Sequence, residues 1–138
     1  MSNPTIIAGE ITADTITPDP VIDASAKHFA AYQAAVATTA IYPESGTGSA
    51  LALAYVGLGL GEAGEIQGKI KKIIRDDGGS ITDAARIAIA KELGDLLWYV
   101  ARAASEISMP LEVIAQMNLN KLSDRMERGV LQGSGDDR

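Results

Sequence analysis

Two acid pairs stand out by type and spacing: Glu62-x-x-Glu65 and Glu92-x-x-Asp95. On an α-helix, residues three apart lie on one face, roughly 60° from each other, so each pair can converge on one ion. The pairs are mirror-symmetric about the junction between Gly78 and Gly79, itself a turn signal. If the flanking segments are helices folded back antiparallel, Glu62 faces Asp95, Glu65 faces Glu92, and four carboxylates arrive at one level. Ionised and unpaired there, they would repel and so call for a cation. All-oxygen ligation without His or Cys selects a hard ion, and octahedral Mg²⁺, which also accepts phosphate oxygens, suits it better than zinc. Mn²⁺ takes the same donors.

Taken singly, each pair also fits exposed i,i+3 and i,i+4 ion pairs on a solvated helix face. The helical wheel favours a shared site instead. Relative to Glu62 at 0°, Glu65, Lys69, Lys72 and Asp76 fall at roughly 300°, 340°, 280° and 320°, one charged stripe beside an apolar arc of Ile66, Ile70, Ile73 and Ile74. Glu92, Asp95, Tyr99, Arg102 and Glu106 form a second stripe, bordered by Ile89, Leu96 and Val100.

The elements that must carry these stripes are helices. Residues 1–22 mix Thr, Asp, Pro and isolated Ile without helical period and read as an extended arm. A first helix runs from Asp23, its cap, to Ile41. Tyr42 to Gly48 is a loop by its Pro and Gly content, after which Ser49 caps a second helix from about Ala50 to Asp76. Past the turn at Asp77-Gly78-Gly79-Ser80, Thr82 or Ser80 caps a third helix reaching about Ser108. Pro110 suits the first turn of a fourth, Leu111 to about Arg128, which Gly129 ends. The expected fold is all-α: a four-helix core, residues 23–128, whose central antiparallel hairpin carries the carboxylates, the first helix packing on that hairpin and the fourth bringing Lys121 and Arg125 to it. A tail, residues 129–138, follows.

Composition narrows the partners. With 138 residues, 46% of them hydrophobic, the chain has the size of one domain with a real core. Its 12 Lys and Arg against 18 Asp and Glu give a net charge of −6, which disfavours a general nucleic-acid binder. A phosphate-bearing partner must then be held locally. No cysteine means no disulfide, thiolate zinc site or cysteine nucleophile, and a lone His28 excludes sites needing two histidines. No uncharged apolar run approaches about 20 residues, and residues 1–20 lack the basic start of a secretory signal. The expectation is a soluble, cytoplasmic protein without membrane partners.

Gly59-Leu60-Gly61-Glu62-Ala63-Gly64 matches the G-x-G-x-x-G dinucleotide fingerprint. That reading requires a strand over 50–58 and an acid ending a second strand about 20 residues on, whereas Asp76 and Asp77 sit at a helix end. On the wheel, Gly57, Gly61, Gly64 and Gly68 line one stripe away from the isoleucines. Four interior glycines cost a helix about 1 kcal/mol each, so the stripe predicts another helix passing close by, inside the subunit or across a dimer.

These residues resemble the all-α nucleotide pyrophosphohydrolases of the MazG type. The resemblance rests on Gly61-Glu62-Ala63-Gly64-Glu65, Lys71-Lys72 and Glu92-Leu93-Gly94-Asp95-Leu96-Leu97-Trp98-Tyr99, with Asn118-Leu119-Asn120-Lys121-Leu122-Ser123-Asp124-Arg125 similar to the family's N-x-x-K-L-x-x-R helix. It spans roughly Ala50 to Arg125. It implies Mg²⁺-dependent hydrolysis of a nucleoside triphosphate between the α- and β-phosphates, giving a monophosphate and pyrophosphate. It further implies Glu62, Glu65, Glu92 and Asp95 as metal ligands and catalytic acids, one of them activating the water. Lys72, Asn118, Lys121 and Arg125 would hold phosphate or ribose, and Tyr99 would line the nucleotide pocket. A homodimer or dimer of dimers with composite sites is implied as well.

Phosphoryl transfer of this kind needs charge neutralisation and a placed water more than a nucleophilic side chain, which suits a chain without cysteine. Asn118, Lys121 and Arg125 fit equally the polar face of an amphipathic helix. Two alternatives stay open on sequence: phosphoribosyl-ATP pyrophosphatase, which shares the fold and reaction type, and a non-enzymatic helical binding or regulatory module. A di-iron bundle would need Glu-x-x-His motifs that the chain lacks.

Overall fold

A computed structural model describes residues 20–133 and Gly135. Every regular element among them is helical: α1 (Pro20–Ala37), α2 (Ala50–Gly59), a 3-10 turn (Leu60–Glu62), α3 (Ala63–Asp76), α4 (Asp83–Glu106) and α5 (Leu111–Glu127). The turn's residues keep right-handed helical angles, with Leu60 at φ −61° and ψ −11°, so α2 and α3 are one helical run tightened in its middle. Counted so, the domain is the expected four-helix architecture. The segment over 50–58, which a dinucleotide-binding fold would need as a strand, is helix.

The local signals explain most boundaries. Ser49 Oγ accepts the Ala52 amide at 3.1 Å and Thr82 Oγ1 accepts that of Ala85 at 3.2 Å, each satisfying an amide the helix start leaves open. Gly78 and Gly79 take φ +59° and +83° between α3 and α4, a left-handed pair that side chains resist. At the end of α5, the Val130 amide reaches the Arg125 carbonyl at 2.8 Å and the Gly129 amide that of Met126 at 3.0 Å, the Schellman pattern that a glycine at φ +69° allows.

Two boundaries differ from expectation. The first helix begins at Pro20, so residues 20–22 belong to it and not to an extended arm, and it stops at Ala37, where the Thr38 and Thr39 amides turn back to Ala35 and Val36. The rest of the arm, residues 1–19, and tail residues 134 and 136–138 lie outside the described residues. The second helix is interrupted at Leu60–Glu62, amid glycines 57, 59, 61 and 64 that lower helix propensity.

α4 is the hub. It packs against α2, α3 and α1, and its C-terminal end against α5, while α1 lies along α5. The fourth helix therefore rests chiefly on α1 and α4 and is not laid across the carboxylate level. Two small core clusters form, Val36 with Ala101, Ala104 and Leu111, and Tyr42 with Ala52 and Val56; Trp98 packs against both. On α3 only Ile73 is buried, and Ile70 and Ile74 stay exposed, that helix packing chiefly against α4 and the 3-10 turn. A Cβ placed at Gly57, Gly61, Gly64 or Gly68 would meet nothing within 4 Å. Among the described residues no helix approaches the glycine stripe, contrary to the intrachain form of that expectation.

Candidate active site

The 3-10 turn ends on Glu62, and the facing stretch of α4 carries Asp95 one turn before Tyr99. Glu62, Asp95, Trp98, Tyr99 and Thr39 line one cavity of about 380 Å³. The cross-hairpin pairing read from the mirror symmetry thus places Glu62 and Asp95 together. Both aromatic residues contribute to the wall, not Tyr99 alone. Their rings meet edge to face at 5.0 Å, and Trp98 Nε1 donates to Thr39 Oγ1 at 2.9 Å. Tyr99 lies so close over α2 that a Cβ on Gly59 would overlap its ring. The glycine that matters for packing is thus Gly59, which the sequence stripe leaves out.

Burial pushes the Tyr99 phenol up from its ordinary value, and Tyr55, Glu62 and Asp95 add to the effect. Tyr32 on α1 is raised too, by burial and then by the Asp95 charge. The Tyr99 phenol therefore stays protonated on the cavity, and a hydroxyl in that state can donate to phosphate or ribose oxygens, whereas Tyr32 opens on a different cavity with His28, Phe29 and Leu97.

The second acid level differs. Glu92 Oε1 accepts from Lys69 Nζ at 3.0 Å, one turn past the Glu65 that faces it in an ideal hairpin. Glu65 is exposed. Among the described residues, no three carboxylates or histidines are gathered tightly enough to hold a metal ion. The donor set nevertheless fits a hard divalent cation in kind: all oxygens, two on one cavity and two more within a helical turn of them. Of the two Glu92 oxygens, Oε1 is engaged by the Lys69 ammonium.

The remaining expected residues sit elsewhere within the chain. Lys72 is exposed on α3, near Asp76, whose carboxyl is held below its ordinary value first by the Arg75 guanidinium that grips it at 2.6 and 2.7 Å. Asn118 and Lys121 line a separate, mainly apolar cavity of about 720 Å³ with Val100, Ile107 and Ile114. Arg125 is 5% exposed, turned inward from α5. None of these three α5 residues lines the cavity of Glu62 and Asp95.

Sequence reasoning missed Thr39, the pairing of the stripe residue Lys69 with Glu92, and a buried network at the end of α4. There Glu106 accepts from the Tyr42 hydroxyl and from the amides of Gly46 at 2.7 Å and Gly48 at 3.0 Å, and Arg102 pairs with it at 3.4 Å. Burial alone would raise the Glu106 carboxyl, but these hydrogen bonds, with the Arg102 charge, bring it below its ordinary value. One signal was available: an acid as the last residue of a helix opposes the helix dipole and so needs special partners.

The MazG nucleotide pyrophosphohydrolase domain profile matches residues 53–130, which include both acid pairs, the aromatic wall and α5. The chain is 50% identical over 113 residues to the Gene 37 protein of Mycobacterium phage L5, a match covering 80% of this chain and 99% of that protein. No solved structure matches. With more than half its length matched by the profile, the chain belongs to the MazG nucleotide pyrophosphohydrolase domain family.

Proposed function

We propose that the chain is a Mg²⁺-dependent pyrophosphohydrolase that cleaves a standard or modified (d)NTP between the α- and β-phosphates, releasing a nucleoside monophosphate and pyrophosphate. The observation that carries this is the cavity shared by Glu62, Asp95, Trp98 and Tyr99. It joins acids from two elements to an aromatic wall broad enough for a base, in a chain of the MazG domain family.

In this reading Glu62, Glu65, Glu92 and Asp95 hold Mg²⁺ or Mn²⁺, which when bound neutralises phosphate charge. One of the acids accepts the proton of the attacking water as its oxygen bonds to phosphorus and the bridging P–O bond breaks. The Tyr99 phenol lines the nucleotide pocket, and Lys72 supplies positive charge outside it.

The chain acts in the cytoplasm as a homodimer or dimer of dimers. Ile70, Ile74, Leu93 and Leu97 on the hairpin are more than 40% exposed and the glycine stripe is uncovered, a combination that a second copy of the hairpin would cover. Asn118 and Lys121 would then serve phosphate binding only across such an interface. Among the described residues no helix is long and apolar enough to cross a membrane.

The test is to incubate purified protein with each dNTP, each NTP and phosphoribosyl-ATP in Mg²⁺ and measure pyrophosphate and monophosphate. Activity on at least one triphosphate, lost in Glu65→Gln, is expected. Turnover of phosphoribosyl-ATP alone would move the chain to the alternative enzyme, and no turnover of anything would leave a binding module.

A further inference from the structure

The ion pair at the end of α4 is buried at a helix terminus of unfavourable polarity. Glu106 is 3% exposed and Arg102 4%. Burying two charges costs desolvation that apolar residues would avoid, and an acid at a helix C-terminus adds a dipole penalty. Departures from local rules of this kind concentrate where function requires them.

The contacts lead toward the cavity. Glu106 grips residues 42–48 through the Tyr42 hydroxyl and the Gly46 and Gly48 amides. Arg102 Nε donates to the same hydroxyl at 3.1 Å, and its guanidinium carbon stands 5.7 Å from the Tyr42 ring centre. The seat is close: at Gly48, with φ +67°, a Cβ would come within 2.8 Å of the Glu106 carbonyl oxygen. Tyr42 in turn stacks on Tyr55 at 5.0 Å and meets the Trp98 ring edge-on at 6.2 Å. Three residues before it, Thr39 holds the Trp98 indole N–H. Thr39 and Trp98 are both walls of the cavity that holds Glu62 and Asp95.

We propose that Glu106 is a positioning residue that, through Tyr42, fixes the Thr39–Trp98 wall of this cavity before substrate arrives. The inference rests on the cavity being the nucleotide site. Glu62 stands on the 3-10 turn, and Asp95, although one turn before Trp98 on α4, is held by helix backbone bonds that do not involve the Tyr42 hydroxyl, so the loss falls on substrate affinity and leaves the chemical step.

The test uses Tyr42→Phe in the full chain, which keeps the stacked ring and deletes the hydroxyl between Glu106 and Arg102. Glu106→Gln is the second variant, removing the charge and keeping one oxygen acceptor, so that one of the Gly46 and Gly48 amides retains its partner and the other loses it. Two quantities are read: steady-state constants on whichever dNTP or NTP the wild type turns over best, and acrylamide quenching of Trp98, the chain's single tryptophan. Expected for Tyr42→Phe is a KM raised roughly tenfold with kcat kept within about twofold, the scale of one lost hydrogen bond to a charged group, together with stronger quenching. Glu106→Gln should shift both in the same direction. An unchanged KM, or a loss confined to kcat or melting temperature, overturns the proposal. If the wild type turns over no dNTP and no NTP, it is the pyrophosphohydrolase reading that fails. Quenching then decides the positioning role alone, stronger in Tyr42→Phe supporting it and unchanged overturning it.

Discussion

Lys69 Nζ lies 3.0 Å from Glu92 Oε1, joining α3 to α4 at the level of the second acid pair. An ammonium here supplies positive charge to Glu92. In the proposed Mg²⁺ site it would compete with the divalent ion for Glu92. Lys69→Met should bind Mn²⁺ some threefold to tenfold more tightly in the absence of nucleotide, measured by calorimetric titration. The pair is part-exposed, so its loss should lower stability by no more than about 1 kcal/mol. Weaker Mn²⁺ binding in Lys69→Met would show that the lysine orients Glu92 instead of occupying it.

The two acids on the cavity should be indispensable to turnover and dispensable to the fold. Glu62→Gln and Asp95→Asn are each expected to lower kcat by about 100-fold or more, the scale of removing one preorganised electrostatic group. Neither is buried, so melting temperatures should hold or rise as repulsion is relieved. Pyrophosphate release and thermal unfolding on the same preparations check both halves.

Gly59 and Gly57 make an internal control. In Gly59→Ala the new methyl overlaps the Tyr99 ring, which must leave its seat, and KM should rise severalfold. Gly57→Ala meets open space within the chain and should stabilise α2 by about 0.5–1 kcal/mol through helix propensity. If a second copy packs its helix along the glycine stripe, Gly57→Ala will instead weaken the oligomer, which sedimentation at several protein concentrations would reveal.

Acid should act on the Glu106 network. Its carboxyl is held below the unperturbed value of 4.5, so the stabilisation it contributes is fully present above that pH. It is lost as pH falls through the depressed folded-state value. Denaturant midpoints measured downward from pH 5 should therefore fall less steeply in Glu106→Gln than in wild type. Parallel slopes would mean that the carboxyl is not depressed.

How much of this was legible in the sequence depended on range. Ser49, Thr82, Gly78, Gly79 and Gly129 act on amides and carbonyls a few residues away, so caps and turns could be read directly. The pairing of Glu62 with Asp95 followed from symmetry about one turn. What escaped depends on contacts made far along the chain. Glu106 looked like one more charge on a polar stripe because nothing local says that residues 42–48 fold back onto it. Arg125, Asn118 and Lys121 looked like one functional face of α5. Within the chain α5 sits on α1 and α4, turning Arg125 inward and opening the other two onto a different cavity.

The three residues of the 3-10 turn set the azimuth of everything after them. A 3-10 residue advances about 120° where an α-helical one advances about 100°, so Leu60–Glu62 rotates α3 by roughly 60° relative to a straight continuation of α2. The junction works as a phase joint: α2 turns Ala52 and Val56 to the core, and α3 is set independently against α4. Lengthening the distal hairpin equally on both sides of Gly78 and Gly79 would leave the acids facing each other, whereas a single insertion at the joint would swing Glu65 about 100° off α4. Length variation among relatives is therefore expected at the tip of the hairpin and excluded at its root.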